Sequence, residues 1–212
     1  FSGAATLYTY LSFALNHASA IFTANNATVD INGGFTLTSG TFNAPAGTMY
    51  VASGWTHTVG GTFNHNNGTV VFDGAGSWGA DVITTETFNN LTVNLGGSGL
   101  SVAQNDTLKT LGTLLLTNGY ASQAISGATF EAQGNVTVAA TWDGGSLALL
   151  CSGSDNQNFD LTGATILFGG DITVHKTGGQ VTLGSALSMS ANNNYPDLII
   201  TTFTHNASSL QA

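Results

Sequence analysis

The residues able to do chemistry in this sequence are few and scattered. Five histidines stand at His17, His57, His65, His175 and His205, and Cys151 is the only cysteine. The basic residues are Lys109 and Lys176, and there is no arginine. A metal site needs three or four ligands at short, regular spacing, which these histidines do not offer. His57 and His65 are the pair that adjacent coils of a repeat would bring face to face. One thiol excludes an internal disulfide and a cysteine zinc cluster, so Cys151 reads as a small buried apolar residue. No metal and no cofactor is expected.

The carboxylates are equally sparse. Glycoside hydrolysis needs two carboxyl groups that face one another. The nearest neighbours are Asp81 with Glu86 and Asp155 with Asp160, in stretches rich in Gly or Asn. Asp73, Asp143, Asp155 and Asp171 lie in turn-like stretches, where a carboxylate bonds its own backbone. A polysaccharide lyase would need a proton-abstracting base beside an acidic cluster, and two isolated lysines do not provide it. The chain is therefore expected not to be an enzyme. Trp55, Trp78 and Trp142 are able to stack on sugars. Phe63 and Trp142 fall at equivalent repeat positions, however, which favours stacking inside the fold.

Charge excludes further classes. The net charge is −9 over 212 residues. Two cations cannot neutralise a phosphate backbone, so no nucleic-acid partner is expected. Nor is there a polybasic patch for an anionic membrane. The apolar-leaning run from Ala4 to Phe22 contains Thr6, Thr9, Ser12, Asn16, His17 and Ser19, too polar to cross a bilayer. The chain begins at Phe1 without a Met or a basic leader and reads as a mature product or an excised piece. Surfaces built from Thr, Ser, Asn and Gly, with so few Lys and Glu, point to an extracellular or cell-surface setting and to association. Six sequons, at Asn26, Asn67, Asn90, Asn105, Asn135 and Asn206, permit glycosylation of an exposed chain.

The elements that would position these residues are short strands. Thr28-Val29-Asp30-Ile31, Phe35-Thr36-Leu37-Thr38, Leu91-Thr92-Val93-Asn94, Asn135-Val136-Thr137-Val138 and Gln180-Val181-Thr182-Leu183 all alternate polar and apolar residues. That period of two marks strands with one buried face. Glycine pairs such as Gly33-Gly34, Gly60-Gly61, Gly96-Gly97 and Gly144-Gly145 separate them as turns. The sequence also repeats at about 79 residues: Phe35 to Gly40 falls on Leu114 to Gly119, and Leu91-Thr92-Val93-Asn94 on Ile172-Thr173-Val174-His175.

Repeated short strands with glycine turns predict an all-β fold, a parallel β-solenoid (β-helix) of roughly 20 to 26 residues per coil. Phe35, Leu37, Val51, Leu91, Val93, Leu114, Leu116, Val136, Val138, Ile172, Val174, Val181 and Leu183 should face inward. The competing reading is a set of antiparallel β-sandwich modules, for which Asn66-Asn67-Gly68-Thr69 supplies a hairpin signal. Three segments are expected. Residues 1–27 are an apolar N-terminal strand segment, 28–196 the solenoid with two super-repeats, and 197–212 a C-terminal capping or docking strand.

Gly61-Thr62-Phe63-Asn64, Gly68 to Gly74, Phe88 to Asn94 and Leu111 to Gly119 together resemble the repeats of large bacterial surface and secreted β-solenoid proteins, filamentous-haemagglutinin-like or autotransporter-like. The likeness covers about residues 28 to 190. It implies an extracellular adhesive or scaffolding role and transfers no catalytic residues.

The function expected is that of an extracellular structural protein, a subunit or segment of a self-assembling filament or surface layer. A carbohydrate- or host-binding adhesin stalk is the alternative. The partner is the chain itself, head to tail, with glycans as a second class. The candidate assembly residues are Leu7, Tyr8, Tyr10, Leu11 and Phe13 in the first strand segment and Leu198, Ile199, Ile200 and Phe203 in the last. Both segments are strand-like and lack gatekeeper charges.

Overall fold

The computed structural model describes residues 6–123, 126–161 and 170–184, and the backbone of 198–203. The strands run β1 (Thr6–Thr9), β2 (Phe13–Thr23), β3 (Thr28–Ile31), β4 (Gly34–Asn43), β5 (Thr48–Val51), β6 (Gly54–Asn64) and β7 (Thr69–Phe72). They continue as β8 (Trp78–Asp81), β9 (Thr85–Phe88), β10 (Asn90–Val102), β11 (Thr107–Thr110), β12 (Leu114–Gln123) and β13 (Thr129–Ala132). The last are β14 (Val136–Val138), β15 (Ala148–Cys151), β16 (Gln157–Asp160), β17 (Ile172–Lys176), β18 (Val181–Leu183) and β19 (Leu198–Phe203).

Each strand pairs in parallel with its equivalent one coil away, and the stack is a β-solenoid of about 8 turns. Among the described residues there is no helix. The first face is the ladder β1-β3-β5-β7-β10-β12-β14-β16-β18. The long strands β2, β4, β6, β10 and β12 turn a corner within their length and supply a second face. Their register shifts fall at that corner, for example between Leu37 and Ser39 of β4. In β10 the corner is made by Gly96 and Gly97, both at positive φ, a conformation glycine adopts without a Cβ penalty. The distal halves of β2, β4 and β6 begin the third face, which β9-β11-β13-β15-β17-β19 continue.

The alternation read from the sequence becomes an inner surface on all three faces. All the expected inward positions are buried except Val181 and Leu183, which are partly buried against the same core. Each fully buried Leu, Val or Phe contributes about 1.5–3 kcal/mol through apolar area removed from water. Aromatic side chains stack from coil to coil. Phe22, Phe42 and Phe63 form one column, with centroids 4.9 and 6.2 Å apart. Phe13, Phe35 and Trp55 form a second, at 6.0 and 4.3 Å.

The hairpin signal at Asn66-Asn67-Gly68-Thr69 turns out to be a solenoid corner. Asn66 and Asn67 both adopt positive φ, 46° and 58°, and β6 and β7 do not pair with each other. Asn tolerates that left-handed conformation because its side chain bonds locally.

Candidate functional site

With the N-terminal coil taken as the bottom of the stack, the third face is interrupted between β6 and β9. Residues 61–64 of β6 pair downward with β4, and β9 pairs upward with β11, yet β6 and β9 share no rung. At the neighbouring corners the coils stay joined. Gly54, Trp55 and Thr56 pair with Gly79, Ala80 and Asp81, and the Asn90 N–H donates to the Gly68 carbonyl at 3.2 Å. The result is a cleft of about 650 Å³ between two strand edges, flanked at each end by a joined corner.

The register of β6 shifts at the corner just before this gap. From His57 to Gly60, β6 carries one residue more than β4 does from Leu37 to Ser39, a bulge that kinks the strand before pairing with β4 resumes at Gly60. In the coil above, the corner takes a different path. The Asp106 carboxylate there accepts the Val82 N–H at 2.7 Å.

Two polar side chains occupy apolar columns at this boundary. His57 stands in register above Leu37, which stands above Leu15. Glu86 stands below Leu108, in the column that continues through Phe130, Leu149 and Ile172. They meet at the cleft floor, with His57 Nδ1 2.7 Å from Glu86 Oε2. Trp55 Nε1 donates to the same oxygen at 2.9 Å. Both members of the pair are buried, at 8% and 3% exposure. A carboxylate only accepts hydrogen bonds, so His57 carries its proton on Nδ1, and Nε2 bears a lone pair when the ring is neutral. That Nε2 makes no hydrogen bond. The Gly61 backbone lies against it, and a Cβ there would fall 3.0 Å from Nε2 and 2.5 Å from Leu37 Cγ. Burial alone would lower the His57 pKa. The hydrogen bond and the negative charge of Glu86 outweigh it, helped by the Gly61 carbonyl, and the net shift is upward from 6.5.

The walls are uncharged. An amide ladder climbs from Thr23 through Asn43 to Asn64, with bonds of 3.0 and 2.7 Å, and stops at the cleft. Thr62, Thr85 and Thr87 line the opening along with His65 and the Phe63 ring. Chemically, the arrangement can bind and orient a hydroxyl or an amide. It also contains a carboxylate-imidazole dyad of the kind that poises a base.

His57 and His65 belong to one coil and not to adjacent coils as expected from the sequence. Both line the cleft, but the partner of His57 is Glu86. The His65 Nδ1 accepts the Asn67 N–H at 3.1 Å. Among the described residues no three His, Cys, Asp or Glu side chains are placed to hold a metal. Asp81 points outward while Glu86 points inward, so that pair does not converge. The meeting of Glu86 with His57 was not read from the sequence. The available signal was a glutamate on the apolar phase of Thr85-Glu86-Thr87-Phe88.

A second buried polar group lies higher in the stack. Lys176 Nζ donates to the Ser152 carbonyl at 2.8 Å and to Gln157 Oε1 at 2.6 Å. Gln157 Nε2 donates to the carbonyls of Ala132 and Gly134, each at 2.7 Å. Burial pushes the Cys151 thiol up to about 11, against the pull of the Lys176 charge, so the thiol stays protonated and inert at neutral pH.

The candidate assembly residues lie at the two ends of the stack. In the first coil Leu7 and Phe13 are partly buried against the core, while Tyr8, Tyr10 and Leu11 are exposed. Tyr8 and Tyr10 contact edge to face at 5.0 Å. At the other end, Leu198, Ile199 and Ile200 pair in register with Ile172, Thr173 and Val174, and Phe203 with Lys176.

No family model, no curated protein and no solved structure matches this chain.

Proposed function

We propose that the chain is an extracellular structural protein, a coil stack that serves as a subunit or segment of a filament or surface layer. The reading extends to a kinship with the repeats of filamentous-haemagglutinin-like and autotransporter-like surface proteins. The observation that carries it is the gradient of burial at the first coil. Leu7, Phe13, Leu15 and Phe22 are only partly buried. One coil up, the residues in the same columns, Val29, Phe35, Leu37 and Phe42, are 0% exposed. A further coil laid on β1 and β2 would continue those columns, pair the open edge and finish the burial. Where that coil comes from a second copy, the contact is head to tail and does not close on itself, so it propagates. The scarcity of charged residues on a surface of Thr, Ser, Asn and Gly supports the extracellular setting.

The test places a charge inside the open end. In an isolated molecule, Lys at positions 7 and 15 can snorkel out of the end coil. A coil stacked on them would bury two ammonium groups at a cost of several kcal/mol each. Leu7→Lys/Leu15→Lys should therefore keep its circular dichroism and melt as a folded monomer while losing the filaments that the parent forms under the electron microscope. A parent chain that sediments as a monomer at millimolar concentration defeats the proposal. So does a double variant that still polymerises.

A further inference from the structure

We propose that the cleft between β6 and β9 is a binding site for a small, neutral, polyhydroxylated molecule, of the size of a mono- or disaccharide. The inference rests on the cleft alone and is independent of the structural role proposed above.

Three observations meet here. The first is an unpartnered ring nitrogen in a buried place. The Glu86 carboxylate holds the proton of His57 on Nδ1 at 2.7 Å, leaving Nε2 buried, without a hydrogen bond, in a ring that lines the cleft. A buried nitrogen without a partner is unfavourable, and a hydroxyl, which both donates and accepts, can satisfy it whether the ring is neutral or protonated. The Gly61 backbone packs against this side of the ring, where a Cβ would fall 3.0 Å from Nε2.

The second is the chemistry of the walls. Thr62, Thr85 and Thr87 line the cleft, and their hydroxyls make no hydrogen bond among the described residues. The Asn64 amide donates to Asn43 and keeps its own carbonyl for a ligand. Phe63 opens one flank of its ring to the cleft, as its partial burial shows beside the fully buried Phe42 below it. Hydroxyls, an amide and a ring edge fit a molecule that is hydroxylated on its rim and apolar on its face. No lysine or arginine lines the cleft, and the one carboxylate is occupied by His57 and Trp55. An anionic or cationic ligand would find no counter-charge.

The third is shape. Two open strand edges would also suit an extended peptide. However, the coils rejoin at both corners, through the Trp55–Ala80 pairing and the bond from Asn90 to Gly68. A strand running through the cleft would have to leave sideways at each end, whereas a compact ligand would not.

The experiment follows the Trp55 indole N–H and the His57 ring by NMR. Glucose, galactose, mannose, N-acetylglucosamine and their common disaccharides are titrated into the intact chain, with glucuronate and a Ser/Thr-rich tetrapeptide as comparisons. A neutral sugar should move both signals saturably and the comparisons should not. Thr85→Ala and Asn64→Ala, which change exposed groups, should each weaken binding several-fold with the fold intact. His57→Leu/Glu86→Leu, which restores the apolar columns, should abolish it. The proposal fails if no neutral sugar moves either signal up to about 50 mM, if the double Leu variant binds as well as the parent, or if the tetrapeptide alone binds.

Discussion

At the scale of single residues, the buried His57–Glu86 pair decides more than any other contact. Removing one partner strands the other in the core, and such losses run to about 3–5 kcal/mol. His57→Leu and Glu86→Leu should each be destabilising by that order, with Glu86→Leu also orphaning the Trp55 indole N–H. The double replacement rebuilds two apolar columns, so it should recover most of the loss. Chemical denaturation of the four proteins gives the coupling energy directly. The pair also gives stability a pH dependence. The pKa of His57 is raised in the folded protein, so the folded state binds the proton more tightly than the unfolded chain does. Its stabilisation is complete below the ordinary imidazole value of 6.5 and is lost as pH rises through the higher folded value. Asp73 and Asp106 have the same sign in a lower window. Burial is the largest cause for both, reinforced by the neighbouring charges of Asp30 and Asp81 respectively and opposed by backbone hydrogen bonds, and it lifts each above 3.8. Melting temperature should therefore be higher near pH 6 than near pH 9, and the double Leu variant should flatten that difference.

At the scale of elements, the strands were legible because each carries its own alternation and because equivalent strands carry it in the same phase. Thr48-Met49-Tyr50-Val51 and Thr69-Val70-Val71-Phe72 place their apolar residues on one face, and the structure stacks them residue on residue. What the alternation could not show is which strands fail to pair. The gap above β6 follows a corner with a single extra residue between His57 and Gly60, and a one-residue slip is invisible among glycine-rich turns that tolerate it elsewhere. The His57–Glu86 contact was hidden for the same reason: the two residues are 29 apart, more than one coil, and only the kinked corner brings them together. The Asn-Gly signal misled in principle, because a hairpin and a solenoid corner both need residues that accept positive φ. Corners also carry a constraint that strands do not. Where the first face turns after β7, a Cβ on Gly74 would land on the Ala52 carbonyl oxygen of the coil below. That neighbour is backbone and cannot rotate away. Gly74→Ala should consequently lower the denaturation midpoint markedly, whereas Gly47→Ala, with open space around its Cβ, should change it little. A pair of urea melts separates the two.

At the scale of the whole molecule, stability is a sum over coils and the contacts between neighbouring coils. The hydrogen bonds and side-chain stacking run along the stack axis, so each coil answers chiefly to the one above and the one below. It follows that length is a free variable so long as register is kept. Leu114 pairs with Leu91 below and Val136 above, and Thr129 pairs with Thr107 below and Ala148 above. Deleting residues 114–135 removes one complete coil and lets Val136 take the place of Leu114 over Leu91, with Ala148 over Thr107. The inner columns stay largely apolar at both new contacts, with Cys151 falling over the buried Thr110, and Glu86, His57 and the cleft lie below the cut. The shortened chain should fold, keep the His57-dependent pH profile, and measure shorter by one coil spacing, about 4.8 Å, in small-angle scattering. Deleting residues 114–124 removes β12, the first- and second-face strand of one coil, but leaves the third-face strand β13, so the strands that follow no longer stand over their equivalents. That variant should lose its cooperative melt and its β-sheet circular dichroism above the cut. A full-coil deletion that unfolds, or a half-coil deletion that folds as well as the parent, would show that the coils depend on contacts beyond their neighbours.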